Sequence, residues 1–331
     1  MTAGRKILVT GATGFTGGHL TRRLASDGCH VRGLIRDADR REELRSRGVE
    51  AAVGDLRNPE SLRRAVRDVD VVYHIAALYR PENVPRERFF EVNAAGTRQL
   101  LEAAEAEGVA RFVHCSTVGV HGEIENPPAD EDTPIDPADH YQASKAEGER
   151  IARIFADEGR LPVTIFRPAA IYGPGDTRFL KLFRAIGRGR FVMLGSGETL
   201  YHLIYIDDLI DGILQCGRCP EAVGRVYILA GPGAVSINEL ADTIADELDA
   251  DIPEWHLPLA PVQAVAVLCE AVCRPLGIQP PLFRRRMDFF RKDRAFDTAR
   301  AREELGFTPR IGVAEGVRRT AEWYREQGLL G

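Results

Sequence analysis

Residues 6–17 read KILVTGATGFTG, from Lys6 to Gly17. Ile7, Leu8, Val9 and Thr10, all apolar or β-branched, run straight into Gly11, Gly14 and Gly17. An amphipathic pattern then starts with Leu20 and Leu24. A buried strand, a glycine turn and a helix start are the parts of a βα unit that holds a dinucleotide pyrophosphate. Gly11 permits the tight turn, Gly14 lets the backbone approach the phosphates, and Gly17 lets the helix pack on the strand. The helix N-terminus, with its free amides and dipole, attracts the anion. The spacing is G-x-x-G-x-x-G rather than G-x-G-x-x-G, and a glycine triplet gains weight only between a strand and a helix, as here.

Composition narrows the classes. The 331 residues are 44% hydrophobic and 28% charged, an ordinary globular balance with room for one large domain and a smaller one. A net charge of −5 gives no reason to expect nucleic acid or an anionic membrane as partner. No signal-like apolar run follows Met1, and the six scattered cysteines suit reduced thiols in a cytoplasmic protein. Cys216 and Cys219 have the spacing of half a metal site, but no second pair completes it; no metal is expected.

Beyond the glycine turn, strands alternate with helices. Strands are expected over His30–Ile35, Val49–Val53, Asp70–Ile75, Arg111–Cys115 and Pro162–Phe166, and helices over Asp37–Arg47, Phe89–Glu107 and Tyr141–Glu158. This alternation implies a doubly wound α/β fold, a parallel Rossmann sheet with ligands at the carboxyl ends of its strands. After Pro168 the rhythm changes. A basic helix (Phe179–Arg188), a short strand (Phe191–Leu194), a helix (Asp207–Cys216) and a strand (Val226–Leu229) precede helices over Ser236–Leu248, Ala260–Arg274 and Val313–Gln327. The expected division is a dinucleotide-binding domain over 1–172, rejoined by 205–230. A smaller, mainly helical substrate-binding lobe would comprise 173–204 and 231–331.

Tyr141 and Lys145 stand four residues apart on one expected helix, so they share a face a turn apart. A phenol ionises near pH ~10, and a neighbouring ammonium favours the phenolate. Tyr141 could then exchange a proton with a substrate hydroxyl or carbonyl while a nicotinamide exchanges a hydride, and Lys145 could also hold ribose hydroxyls.

With the glycine turn and Tyr141–Lys145, further markers fall in order: Gly54-Asp55-Leu56, His74-Ile75-Ala76-Ala77, Val92–Thr97, Cys115-Ser116-Thr117, Arg167-Pro168, Tyr172–Asp176 and Asp207-Asp208. In these the chain resembles the extended short-chain dehydrogenases/reductases of the NAD-dependent epimerase/dehydratase family. The resemblance implies Thr117, Tyr141 and Lys145 as catalytic residues. It implies cofactor contacts at Gly11, Thr13, Gly14, Phe15, Thr16, Gly17, Arg36, Asp55, Leu56, Ala76, Ala77, Asn93, Tyr141, Lys145, Pro168 and Ile171. Asp55 would meet the adenine amino group, and Thr117 would hydrogen-bond the reacting oxygen; a helix N-cap is the competing role for Asn93.

The end of the second strand bears on the cofactor. Arg36 stands where similar reductases pair an arginine with a 2′-phosphate, which favours NADP. Asp37 keeps NAD open, as an acid there takes ribose hydroxyls unless it caps the following helix. Tyr201 occupies the place where members acting on nucleotide sugars carry a pyrophosphate-gripping arginine. The apolar run His256–Leu282, too broken to span a bilayer, is either a core helix of the lobe or an apolar wall for a greasy substrate flanked by Arg284–Arg286. The expected activity is hydride transfer at a secondary alcohol or ketone of a small, amphiphilic molecule. A sugar 4-epimerase with retained NAD and a non-catalytic nicotinamide sensor are the alternatives, and a homodimer is compatible with the resemblance.

Overall fold

The computed structural model describes residues 4–79, 84–253, 255–273 and 287–330. Among the described residues ten strands form two sheets: β1 (Lys6–Thr10), β2 (His30–Ile35), β3 (Glu50–Val53), β4 (Val71–His74), β5 (Arg111–Cys115), β6 (Val163–Pro168), β7 (Ala170–Tyr172), β8 (Leu200–Tyr205), β9 (Val226–Leu229) and β10 (Ala234–Ser236). Seven of them build one sheet in the order β3-β2-β1-β4-β5-β6-β9, every neighbour parallel. Helices cover both faces, so Ile7–Thr10 of β1 and all of β4 are buried in an unbroken run rather than alternating. This is the doubly wound Rossmann arrangement, and the reversal of strand order between β1 and β4 opens the crevice where ligands bind.

The second sheet, β10-β8-β7, is small and mixed. Helices Leu180–Gly187, Ile237–Leu248 and Val313–Glu326 pack beside it. Ser236 caps the second of these, its hydroxyl on the Glu239 amide and the Glu239 carboxylate on the Ser236 amide, a capping box. The segment expected as a strand over Phe191–Leu194 makes only one bridge, Leu194 to Leu257, and extends no ladder. Asp37–Arg47 is a 3₁₀ turn plus one helical turn, Ala38–Arg40 and Arg41–Arg45.

The long helix expected over Phe89–Glu107 begins at Arg86 and is interrupted by a π-helical segment, Glu91–Ala95, before continuing over Gly96–Ala106. Such an insertion re-aims the side chains within it. Asn93, inside it, is buried and is no N-cap. Its Oδ1 accepts from the Leu78 amide at 2.7 Å, and its Nδ2 donates to the Leu78 carbonyl and to Ser144 Oγ at 3.2 and 2.9 Å. One side chain thus fastens the segment after β4 to the helix His140–Asp157. That helix passes so close that a Cβ at Gly148 would lie 2.4 Å from the Asn93 carbonyl oxygen.

A second chain of hydrogen bonds runs behind the same segment, and counting its protons fixes a tautomer. Thr97 Oγ1 donates to the Asn93 carbonyl at 2.7 Å, so it accepts from His74 Nε2 at 2.9 Å. His74 Nδ1 therefore carries no proton and accepts from Thr10 Oγ1 at 2.8 Å, while Thr10 Oγ1 accepts the Ala76 amide at 3.0 Å. Burial first, and the Lys145 ammonium second, push the His74 pKa down to about 3. The unfolded chain takes up this proton below about pH 6.5 and the folded chain refuses it. Stability held above that pH is therefore lost as the pH falls toward about 3. The ¹⁵N resonances of His74 should show the neutral Nε2–H tautomer even at about pH 5, where a free imidazole is mostly protonated. An imidazolium signal there would refute the assignment.

Candidate functional site

At the carboxyl edge of the large sheet lies a cleft of about 1080 Å³, ample for a dinucleotide and a second molecule. The glycine turn forms its floor. Gly11 has φ +73°, and a Cβ there would press on the Ala76 amide at 3.0 Å. A Cβ at Gly17 would lie 2.1 Å from the Gly11 carbonyl oxygen, so helix Phe15–Ser26 can sit on β1 only without one. The helix has no acidic residue in its first turn. Its unpaired amides and positive dipole end therefore face the cleft without a competing carboxylate. A backbone cradle that side chains would fill fits a pyrophosphate.

Of the expected contacts, Gly11, Thr13, Gly14, Phe15, Thr16, Gly17, Arg36, Asp55, Leu56, Ala76, Ala77, Thr117, Tyr141, Lys145, Pro168 and Ile171 all line this cleft. Asn93 does not: its amide is spent on Leu78 and Ser144, so it shapes the wall from behind. Arg36 follows β2 and, among the described residues, is in no ion pair. Asp37 is absent from the lining and turns away to accept the Asp39 amide at 3.0 Å, capping the 3₁₀ turn. The Arg57 guanidinium grips both Asp55 oxygens, at 3.0 and 2.6 Å, and holds that carboxyl below the usual range.

Tyr141, Lys145 and Glu149 project from one face of helix His140–Asp157, one turn apart. Lys145 is buried, and its ammonium donates to the Cys115 carbonyl at the end of β5. Burial lowers its pKa, and the Glu149 carboxylate a turn away opposes the shift. Glu149 is itself saturated by Arg167 (2.6 and 3.0 Å), Ser116 Oγ (2.6 Å) and Arg153 (3.0 Å). Thr117 Oγ1 accepts the Gly119 amide at 3.1 Å, which leaves its own O–H for a bond into the cleft. A phenol, a buried ammonium and a hydroxyl on one wall can move a proton on and off a carbon-bound oxygen and hold that oxygen in place.

The far half of the cleft differs in chemistry. Phe179, Tyr201 and Phe289 line it in edge-to-face sequence, with centroids 6.4 and 5.1 Å apart, and Phe290 stands 5.1 Å beyond Phe289. The Arg294 guanidinium covers the Tyr201 ring at 5.5 Å, and Lys181 also lines this half. Tyr79, set edge-on to Tyr141 at 5.1 Å, and Arg178 complete the rim. Sequence reasoning missed Tyr79, Arg57, Arg178, Arg294 and the phenylalanines, because no spacing rule links them to the cleft. Of the run read as core helix or apolar wall, His256–Leu282, residues 274–282 lie outside the described residues. Helix Leu259–Cys273 contributes nothing to the lining, and its Val265, Val267, Leu268 and Val272 are exposed, with Ala266 buried on the opposite side of the pattern. Arg284–Arg286 lie outside the described residues. Cys216 is buried in helix Ile206–Arg218 and Cys219 follows its end; among the described residues no cluster of metal-ligating side chains exists, and no helix could cross a membrane.

Comparison with known proteins places this geometry. The pattern of the NAD dependent epimerase/dehydratase family matches residues 7–230. A sterol demethylase protein B of Methylococcus capsulatus is 31% identical over 98% of this chain and 99% of its own. A UDP-glucose 4-epimerase of Vibrio cholerae is 29% identical over 96% and 95%. The crystal structure of DesIV, a dTDP-glucose 4,6-dehydratase from Streptomyces venezuelae with NAD and TYD bound, superposes with a TM-score of 0.77 at 26% identity, covering 98% of each chain. The matched stretch runs from β1 to the end of β9 and carries the glycine turn, Thr117, Tyr141 and Lys145. The chain is a member of the NAD dependent epimerase/dehydratase family, and thus an enzyme.

Proposed function

We propose that the protein is an NADP-preferring oxidoreductase acting on a secondary alcohol or ketone of a small amphiphilic molecule. The observation that carries this reading is the meeting, in one cleft, of the Thr117–Tyr141–Lys145 wall with the aromatic row Phe179–Tyr201–Phe289. The bound nicotinamide would supply the hydride acceptor or donor. Tyr141 gives or takes the proton on the reacting oxygen, Lys145 favours its phenolate and can reach ribose hydroxyls, and Thr117 donates a hydrogen bond that orients the oxygen. The two glycines of closest approach, Gly14 and Gly17, bring helix amides to the pyrophosphate. Ala76, Ala77, Pro168 and Ile171 wall the nicotinamide side, and Leu56 and Asp55 the adenine side. Aromatic edges offer about 25 cal/mol per Å² of apolar area buried. Arg294 and Lys181 leave room for a polar or anionic end.

Arg36 supports NADP, since among the described residues it is a cation of the lining in no ion pair, whereas Asp37 is committed to its cap. A second reading, a sugar 4-epimerase with retained NAD, draws on the 4-epimerase relative and on Arg294, a cation beside Tyr201 that could grip a phosphate.

Net change in reduced-nicotinamide absorbance separates the two readings. With cofactor present, a panel of amphiphilic alcohols, ketones and nucleotide sugars should give net turnover with an amphiphile. Interconversion of a nucleotide sugar at constant absorbance would promote the epimerase. Tyr141→Phe should keep cofactor binding and lower turnover about 10²–10⁴-fold; near-full activity would end the proton-transfer assignment. Arg36→Ala should weaken NADP binding by about 1.5–3 kcal/mol and barely change NAD binding, measured by calorimetry. An equal loss for both cofactors would contradict the NADP preference.

A further inference from the structure

We propose that Arg178 is a direct ligand of the cofactor's pyrophosphate, a cation lent to the glycine turn by the segment that follows β7. The inference rests on the reading of that turn as a dinucleotide site. The turn itself, Gly11–Gly17, contains no charged side chain, so on its own it meets a doubly negative pyrophosphate with amides and a helix dipole. The Arg178 guanidinium lies 5.6 Å from the ring centre of Phe15, the first residue of the turn's helix.

Its position is built. Nε donates to Asp176 Oδ1 at 2.6 Å and Nη2 to the Ile171 carbonyl at 2.6 Å, and the guanidinium carbon lies 6.0 Å from the Tyr79 ring centre. Asp176 is buried, and its carbonyl accepts from the Tyr324 hydroxyl at 2.7 Å. The backbone before it is pinned to the same helix. His19 Nε2 bonds the Pro174 carbonyl at 2.9 Å, and Gly175, at φ +98°, passes so close that a Cβ would lie 3.3 Å from the Phe15 ring. A guanidinium has five N–H donors, of which the bonds to Asp176 and Ile171 use two. The others, on Nη1 and Nη2, form a fork suited to phosphate oxygens, on a side chain that is 41% exposed at the cleft. The Asp176 carboxylate and the Ile171 carbonyl hold the fork between the nicotinamide wall at Ile171 and the phosphate cradle at Phe15.

Calorimetric titration of NAD⁺ and NADP⁺ into the wild type, R178Q and R178K, at low and high salt and without substrate, tests this. Loss of a charge-assisted contact should raise both Kd values roughly tenfold or more in R178Q, with R178K between the two. The salt dependence of Kd should flatten in R178Q, because a screened charge pair has gone. A strap with only a structural role would lower the melting temperature of ligand-free R178Q and leave the salt slope as in the wild type, which would overturn the proposal. An unchanged dinucleotide Kd in R178Q overturns it too and leaves the dinucleotide site standing. If R178Q instead loses only the binding of inorganic pyrophosphate to dinucleotide-saturated protein, the cation serves the second ligand and the proposal fails. A wild type that binds neither dinucleotide would remove the site reading and this inference together.

Discussion

A single buried carboxylate holds the site in register. Glu149 has no exposure to solvent, and burial alone would drive it to protonate. It stays charged because Arg167, Ser116 and Arg153 close on it from β6, the end of β5 and its own helix. Breaking such a buried pair from one side typically costs about 3–5 kcal/mol, since the surviving charge has no water to turn to. Arg167 carries the constraint outward, donating to the Glu131 carbonyl and to His121 Nε2, both at 3.0 Å. Glu131 in turn accepts the Ile228 amide of β9 at 2.7 Å. The helix bearing Tyr141 and Lys145 is therefore referenced to three strands at once, through polar contacts that tolerate little displacement.

The charge pattern around Lys145 follows from the same economy. His74 and His114 lie close behind it, with ring centres 5.4 Å apart, and both are buried and kept neutral. His114 has no hydrogen-bond partner for either nitrogen among the described residues. An imidazolium at either position would compete with the ammonium for the one compensating carboxylate. Keeping both rings neutral leaves Lys145 as the local positive charge, pointed at the Cys115 carbonyl, with Tyr141 one turn away on the same helix. The neighbouring half of the cleft carries an aromatic row, with Arg294 over Tyr201 and Lys181 beside it.

Much of the fold was legible because parallel strands between helices are long apolar runs. His30–Ile35, Arg111–Cys115 and Val226–Leu229 were read with the bounds the structure has. The small sheet was not legible. Ala170–Tyr172 and Ala234–Ser236 have three residues each, and Leu200–Tyr205 depends on both for its pairing. The π segment at Glu91–Ala95 is a one-residue slip in a helical pattern, too small to disturb the apolar period that marks a helix. In the cleft, residues carried by a short motif were readable from their spacing. Arg178, Arg294 and Phe289 reach it from segments that only tertiary packing brings there, and an arginine beside Tyr201 could be found only once Arg294 was seen to pair with it along the edge of β8. The apolar run at Leu259–Cys273 left two roles open, since apolar composition without a helical stripe says nothing about what covers it.

The sheet order has a bearing on how the chain is made. β6 pairs on one side with β5, which precedes it, and on the other with β9, which a ribosome delivers about sixty residues later. At about 5–20 residues per second, the β6 edge stays open for roughly 3–12 s of synthesis. Its sequence, Val-Thr-Ile-Phe-Arg-Pro, is an apolar template for any other strand during that interval. Arg167, near its end, and the closing proline, which has no amide to offer, are the features that blunt this edge until its own partner emerges.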